Sequence, residues 1–82
     1  MTVFVAWTSE PVPEPLPGPW RDMHVAAAGL LMVESDETLS RVYHELKWSL
    51  PEGTSLLVAP VAATPKLKGL APGTVTWLRE RT

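Results

Sequence analysis

Residues 2–19 read TVFVAWTSEPVPEPLPGP, and what this stretch does decides the fold. Its opening part, Thr2–Thr8, is rich in β-branched and aromatic side chains and reads as a strand. Alternation puts Val3, Val5 and Trp7 on one side and Phe4 and Ala6 on the other. Both sides are apolar, so the strand is expected inside a sheet and not at its edge. Prolines then stand at 11, 13, 15, 17 and 19. Each lacks a backbone donor and has its φ fixed by the ring, which rules out helix and ladder alike. The expectation for Pro11–Pro19 is extended polyproline II. At about 3.1 Å per residue the segment reaches about 28 Å, against about 20 Å for a typical strand. It can therefore carry the chain back along the sheet, a task a crossover helix usually performs. The alternative use is as an SH3 or WW ligand. Against it, no two of these prolines stand three apart, so the PxxP pattern is missing.

Outward from this stretch, His24–Glu34 (HVAAAGLLMVE) is mostly apolar and reads as strand. Gly29 inside it fits either a bend in one strand or the turn of a short hairpin. Leu39, Val42, Tyr43, Leu46 and Leu50 follow at helical spacing and form one apolar stripe. Ser35 or Asp36 is the expected cap, Glu37 suits the first turn, and Pro51-Glu52-Gly53 stops the helix. Thr54–Ala63 (TSLLVAPVAA) is a further strand in which Pro60 implies an edge or an interrupted ladder. Residues 64–71 read as loop, and Pro72–Thr82 as helix in preference to strand.

The chain has 82 residues, enough for one domain over 1–82. Leu, Val and Phe together make up about a quarter of it, above the range of disordered chains. Asn, Gln, Ile and Cys are all absent, a pattern expected of GC-rich bacterial coding. Without Cys, disulfide scaffolds, thiolate zinc sites and thiol catalysis are excluded. The net charge of −2 is unevenly spread: residues 1–45 carry −5 and residues 46–82 carry +3. Such a split fits complementarity between halves or subunits better than it fits a dedicated anion site. The longest apolar run, Val25–Val33, is far shorter than the roughly 20 residues of a membrane span. With no leader-like segment visible, the expectation is a cytoplasmic protein that does not engage a membrane.

The stretch ESDETLSRVYHELKWSLPEGTSLLVAPVA, followed by KGLAPGTVTWLRER, resembles the second half of small ferredoxin-like proteins. These are the SinR-like and VapD-like proteins and, more distantly, small CRISPR-associated endoribonuclease-like subunits. The resemblance covers about residues 30–82 and consists of a helix of this stripe, an acidic turn, an SLLV strand and a basic WL segment. It implies an α+β ferredoxin-like sandwich with a sheet of three to four strands, the first crossover helix being replaced here by the Pro-rich extended segment. It also implies a homodimer, and in some members nuclease or toxin-type activity. In the nuclease members an acid closes the first strand and helps bind a divalent metal. Here that strand closes with Trp7-Thr8, and the nearby Glu10 enters the proline segment.

Chemistry-bearing residues are sparse. His24 and His44 have no HxH, HxxxH or HExxH spacing, so neither reads as a metal ligand. Glu34, Asp36 and Glu37 crowd a helix start, where the macrodipole explains them. Gly69 and Gly73 lack the phosphate-loop frame, and no serine sits in a GxSxG context. Lys66, Lys68, Arg79 and Arg81 beside Trp77 are the candidates for a phosphate or nucleic-acid contact, with a solvated terminus as the plainer reading. Four tryptophans are many for so small a core, and Trp20 and Trp48 lie off the clearest stripes. Both are interface candidates, since tryptophan is enriched at binding hot spots. The expected function is that of a non-enzymatic homodimer acting through protein–protein interaction, with no catalytic residue, metal or cofactor. A nucleic-acid-binding or nuclease/toxin-type protein is the alternative.

Overall fold

The computed structural model describes residues 1–13 and 16–82. Its elements are β1 (Thr2–Thr8), β2 (Asp22–Ala27), β3 (Leu30–Ser35), α1 (Leu39–Ser49), β4 (Leu56–Val61) and α2 (Thr74–Arg79). The strands form one sheet in the order β2-β3-β1-β4, and every neighbouring pair is antiparallel. Two connections therefore join parallel strands: residues 9–21 between β1 and β2, and the α1 connection between β3 and β4. The architecture is α+β, with four strands and two helices among the described residues, and β1 is hydrogen-bonded on both sides.

Alternation along β1 builds two cores. On the first face Phe4 and Ala6 meet Leu31 and Val33, and α1 covers them with Val42 and Leu46. On the second face Val3 meets Met32 and Ala26, covered by Leu78 of α2 with Leu67 and Leu70. Val42, Leu46 and Leu78 are fully buried. Truncating such a leucine costs about 2–5 kcal/mol, because apolar contacts are lost and a cavity is left.

Residues 9–21 form no helix or strand among those described. The expected polyproline crossover includes Glu14 and Pro15, which lie outside the described residues. The rest of the segment is not free in solvent. Leu16 is buried, and Val12 and Trp20 pack on the first-face core beside α1. Ser35 Oγ donates to the Pro19 carbonyl at 2.6 Å, tying the end of the segment to β3.

The stretch around Gly29 is a hairpin, with a register shift between Val25 and Ala27. Gly29 has φ +73°. A Cβ there would stand 2.5 Å from the Thr8 carbonyl oxygen, while the Thr8 N–H donates to the Gly29 carbonyl at 2.8 Å. Helix α1 starts later than the expected caps. Thr38 is its N-cap, its side chain accepting from the Arg41 N–H at 3.2 Å. Ser35 is instead consumed at the end of β3, where its hydroxyl accepts from the Glu37 N–H. The stripe buries from the second turn onward, for Leu39 is 42% exposed. Pro60 lies on edge strand β4, one of the two placements open to it from sequence.

Gly29→Ala is expected to lose about 2 kcal/mol or more, combining left-handed strain with a backbone clash. Gly53, at φ +87° with open space within 4 Å of where a Cβ would stand, provides the control. Gly53→Ala should cost only about 1 kcal/mol, a shift of about 4–8 °C in Tm at this size. Thermal and urea unfolding of the two variants checks the difference.

Candidate interaction surface

The sequence candidates fall on two flanks of α2. Positions 75 and 77 are separated by about 200° around a helix, so side chains two apart point away from each other. Trp77, with Arg81 four residues on, faces β2 and β3. Val75 and Arg79 face the other way, into a cleft of about 330 Å³ lined also by Thr64, Pro65, Lys66 and Leu67. Lys68 lines the adjoining cleft formed by residues 67–76. The five proposed contact residues are thus not gathered on one surface. Lys66 and Arg79 share a cleft, Lys68 neighbours it, and Trp77 and Arg81 are turned inward.

That inward pair is fully engaged. Trp77 Nε1 and Arg81 Nη2 both donate to Asp22 Oδ2, each at 2.9 Å. Arg81 Nε donates to Glu34 Oε1 at 3.3 Å, and Nη1 donates to the Trp77 carbonyl at 3.0 Å. The guanidinium carbon lies 4.2 Å from the centre of the Trp77 ring, a cation–π arrangement. On the ring's other neighbour, His24 stacks at 5.8 Å. His24 Nε2 sits 2.7 Å from the hydroxyl of Thr74, which itself donates to the Ala71 carbonyl. A hydroxyl has one proton to give. Both contacts are satisfied together when Nε2 carries a proton and donates to Thr74. This network is where the acidic first half meets the basic second half of the chain.

The Asp22 carboxyl is held below its usual range, first by the Trp77 indole bond. Burial opposes this, while the Met23 N–H and the charges of Arg81 and His24 add to it. Sequence reasoning missed Asp22 and Glu34 as partners of Arg81. The available signal was the charge split between halves, which gave complementarity without naming residues.

The interface candidates also part. Trp20 is half-buried, donates from Nε1 to the Leu16 carbonyl at 3.0 Å and lies over Gly18. It closes its own loop against the core. Trp48 is 69% exposed on α1. Its ring lies 5.6 Å from His44, which in turn meets Tyr43 edge-on at 5.2 Å. His44 Nδ1 donates to the Ser40 carbonyl at 2.7 Å, so this histidine has a backbone partner within its own helix. With Leu50, Pro51 and Thr54, Trp48 lines a cleft of about 270 Å³.

A second apolar surface was not singled out from sequence. Trp7 is 49% exposed and Leu57 is 58% exposed, and the two are cross-strand partners in β1 and β4. Helix α2 packs on the β2 side of this face. The end of the sheet around Trp7 and Leu57 remains exposed.

Among the described residues no three His, Asp or Glu side chains are grouped as metal ligands, and no helix is long and apolar enough to cross a membrane. Compared with family models, curated proteins and solved structures, the chain matches none.

Because the folded Asp22 carboxyl ionises more readily than the unfolded one, its stabilisation is complete above the unfolded value of about 3.9. It is lost as pH falls through the lower folded-state value. The Asp22 side chain is 46% exposed, so solvent screening holds the contribution at pH 7 to about 1 kcal/mol or less. Asp22→Asn should show that loss at neutral pH and converge with the parent in strong acid. Urea midpoints measured across the acid range test this.

Proposed function

We propose that this chain is a small, non-enzymatic interaction domain that works as a homodimer. The observation carrying the proposal is the placement of large apolar side chains on the surface: Trp48 on α1, and Trp7 with Leu57 at one end of the sheet. An exposed tryptophan is unfavourable in a monomer and enriched at binding hot spots, so a partner that covers it gains much of its affinity there. In contrast, the groups best suited to proton transfer or ion binding are committed to one another. His24, Thr74, Asp22, Glu34 and Arg81 form one chain of contacts around Trp77. The small size of the domain favours the same reading, since a chain of this length buries only about 60% of its unfolded surface alone.

The strand order supports a ferredoxin-like reading of the fold. A four-strand antiparallel sheet whose first strand lies between the third and fourth is the arrangement of such a sandwich. This chain would be a variant of it, with the proline segment in place of the first crossover helix. A further departure is α2 on the opposite face from α1.

A second reading, as a nucleic-acid-binding or nuclease/toxin-type protein, is favoured by Lys66 and Arg79 lining one cleft. Two cations contribute counterion release on binding a phosphate backbone. If it holds, labelled RNA or DNA will bind in a salt-dependent manner. Lys66→Ala or Arg79→Ala will then each lower the salt slope by about one. Absence of salt-sensitive binding and of cleavage, with and without magnesium, removes this reading.

For the main proposal, sedimentation at concentrations on the order of tens of micromolar should show a dimer, the range in which micromolar affinity populates one. A strict monomer there overturns it.

A further inference from the structure

The outer edge of β4 has a hydrogen-bonding parity that can be read residue by residue. In an antiparallel pair, successive residues point their N–H and C=O groups alternately to one neighbour and the other. The Thr8 N–H donates to the Gly29 carbonyl on the β3 side, and the Ser9 N–H donates to the Ser55 carbonyl on the β4 side. Ser9 with Ser55 continues the β1–β4 register of Trp7↔Leu57, Val5↔Ala59 and Val3↔Val61. Leu57, Ala59 and Val61 therefore bond inward to β1, while Leu56, Val58 and Pro60 turn their backbone groups outward. Proline thus occupies an outward position, where its missing donor costs the internal ladder nothing. Leu56 and Val58 present free N–H and C=O groups, with no turn, loop or side-chain partner among the described residues. Among the described residues no strand lies beyond β4 in the sheet.

The opposite edge is treated differently. At its bulge, β2 gives the Ala26 carbonyl to the Ala71 N–H at 2.8 Å. An open, apolar edge is a template for a further strand unless charge, proline or a covering segment blunts it. Residues 54–65, TSLLVAPVAATP, carry no charge at all. Only Pro60 blunts this edge, and it does so at one end.

We infer that the outer edge of β4 pairs antiparallel with the same edge of a second copy, with Leu57 on the two-fold axis. The inference rests on the reading of the chain as a homodimer and specifies its interface. Pro60 selects the register. With Leu57 on the axis, Leu56 of each copy meets Val58 of the other, and all four outward donors find acceptors. With Val58 on the axis, Leu56 meets Pro60, and the bonds requiring a Pro60 donor are lost. The selected register sets the exposed Leu57 side chain directly against its own copy. In such a non-hydrogen-bonded pair the Cα atoms stand about 4.5 Å apart. Trp7, one strand inward on the same face, flanks this contact on both sides. An isologous pairing brings together surfaces of identical charge, and the absence of charge on residues 54–65 removes that repulsion. The product is one continuous eight-stranded sheet across the two copies.

The absence of native Cys makes the register testable by single-site disulfide trapping. Leu57→Cys places two thiols across the axis, inside the Cα range of about 4.4–6.8 Å that a disulfide spans. Ala59→Cys places them four residues apart along the strands, about 14 Å, and beyond reach. Mild oxidation at micromolar protein should give a covalent dimer for Leu57→Cys and little for Ala59→Cys. Leu57→Glu, at a site already exposed in the single chain, should raise the dimer dissociation constant at least tenfold, with circular dichroism reporting the retained fold. If Leu57→Glu fails to fold, the trapping result decides alone. A parent dimer that Leu57→Glu leaves intact and Leu57→Cys does not trap overturns the β4 interface and leaves self-association standing. Preferential trapping of Ala59→Cys overturns the register. A monomeric parent overturns both the interface and the homodimer reading.

Discussion

The structure depends on burying both faces of β1 while both of its edges are bonded. Val3 and Phe4, adjacent in sequence, each anchor a different core. An apolar strand buried on both faces over most of its length needs a cover above and a cover below. One is supplied by α1 with the proline segment, the other by α2 with Leu67 and Leu70. The sheet order follows from the same demand. β1 obtains its two bonded neighbours from β3 and β4, leaving β2 and β4 at the edges.

Much of this was legible because it depends on local pattern. The double-sided apolarity of Thr2–Thr8 marked an interior strand. The spacing of Val42 and Leu46 marked a helix with one buried stripe, and Pro60 was compatible with the edge it occupies. Other features depend on partners distant in sequence. The α1 cap passed to Thr38 because Ser35 lies in β3 and bonds Pro19 and Glu37 instead. Gly29 fitted a bend and a hairpin equally until the Thr8 carbonyl opposite it was known. Trp20 lies off any stripe because it packs against its own loop, a contact that periodicity does not encode.

The candidate surface was less legible than the fold. Reading Trp77 and Arg81 together was sound as far as proximity went, for they are four apart and in contact. Their direction is set by Asp22 and Glu34, which lie on strands reached only after the chain has folded. The exposure of Trp7 and Leu57 arises the same way. Each belongs to a strand that reads as buried, and it is the limited reach of α2 over this face that leaves the pair uncovered. Among the tryptophans, Trp48 stands furthest into solvent because it projects from the outer side of a helix whose inner side is already occupied.

The position of β1 has a consequence for folding. It is an interior strand, and its neighbour β4 follows it in sequence only after β2, β3 and α1. Contacts this distant carry a large loop-closure cost before they stabilise anything, which slows nucleation. Until Leu56–Val61 docks, Val3 and Phe4 lack one of the two strands that flank them. The prolines at 11, 13, 15, 17 and 19 lower part of that cost, since each ring fixes φ and leaves the unfolded connection fewer conformations to lose.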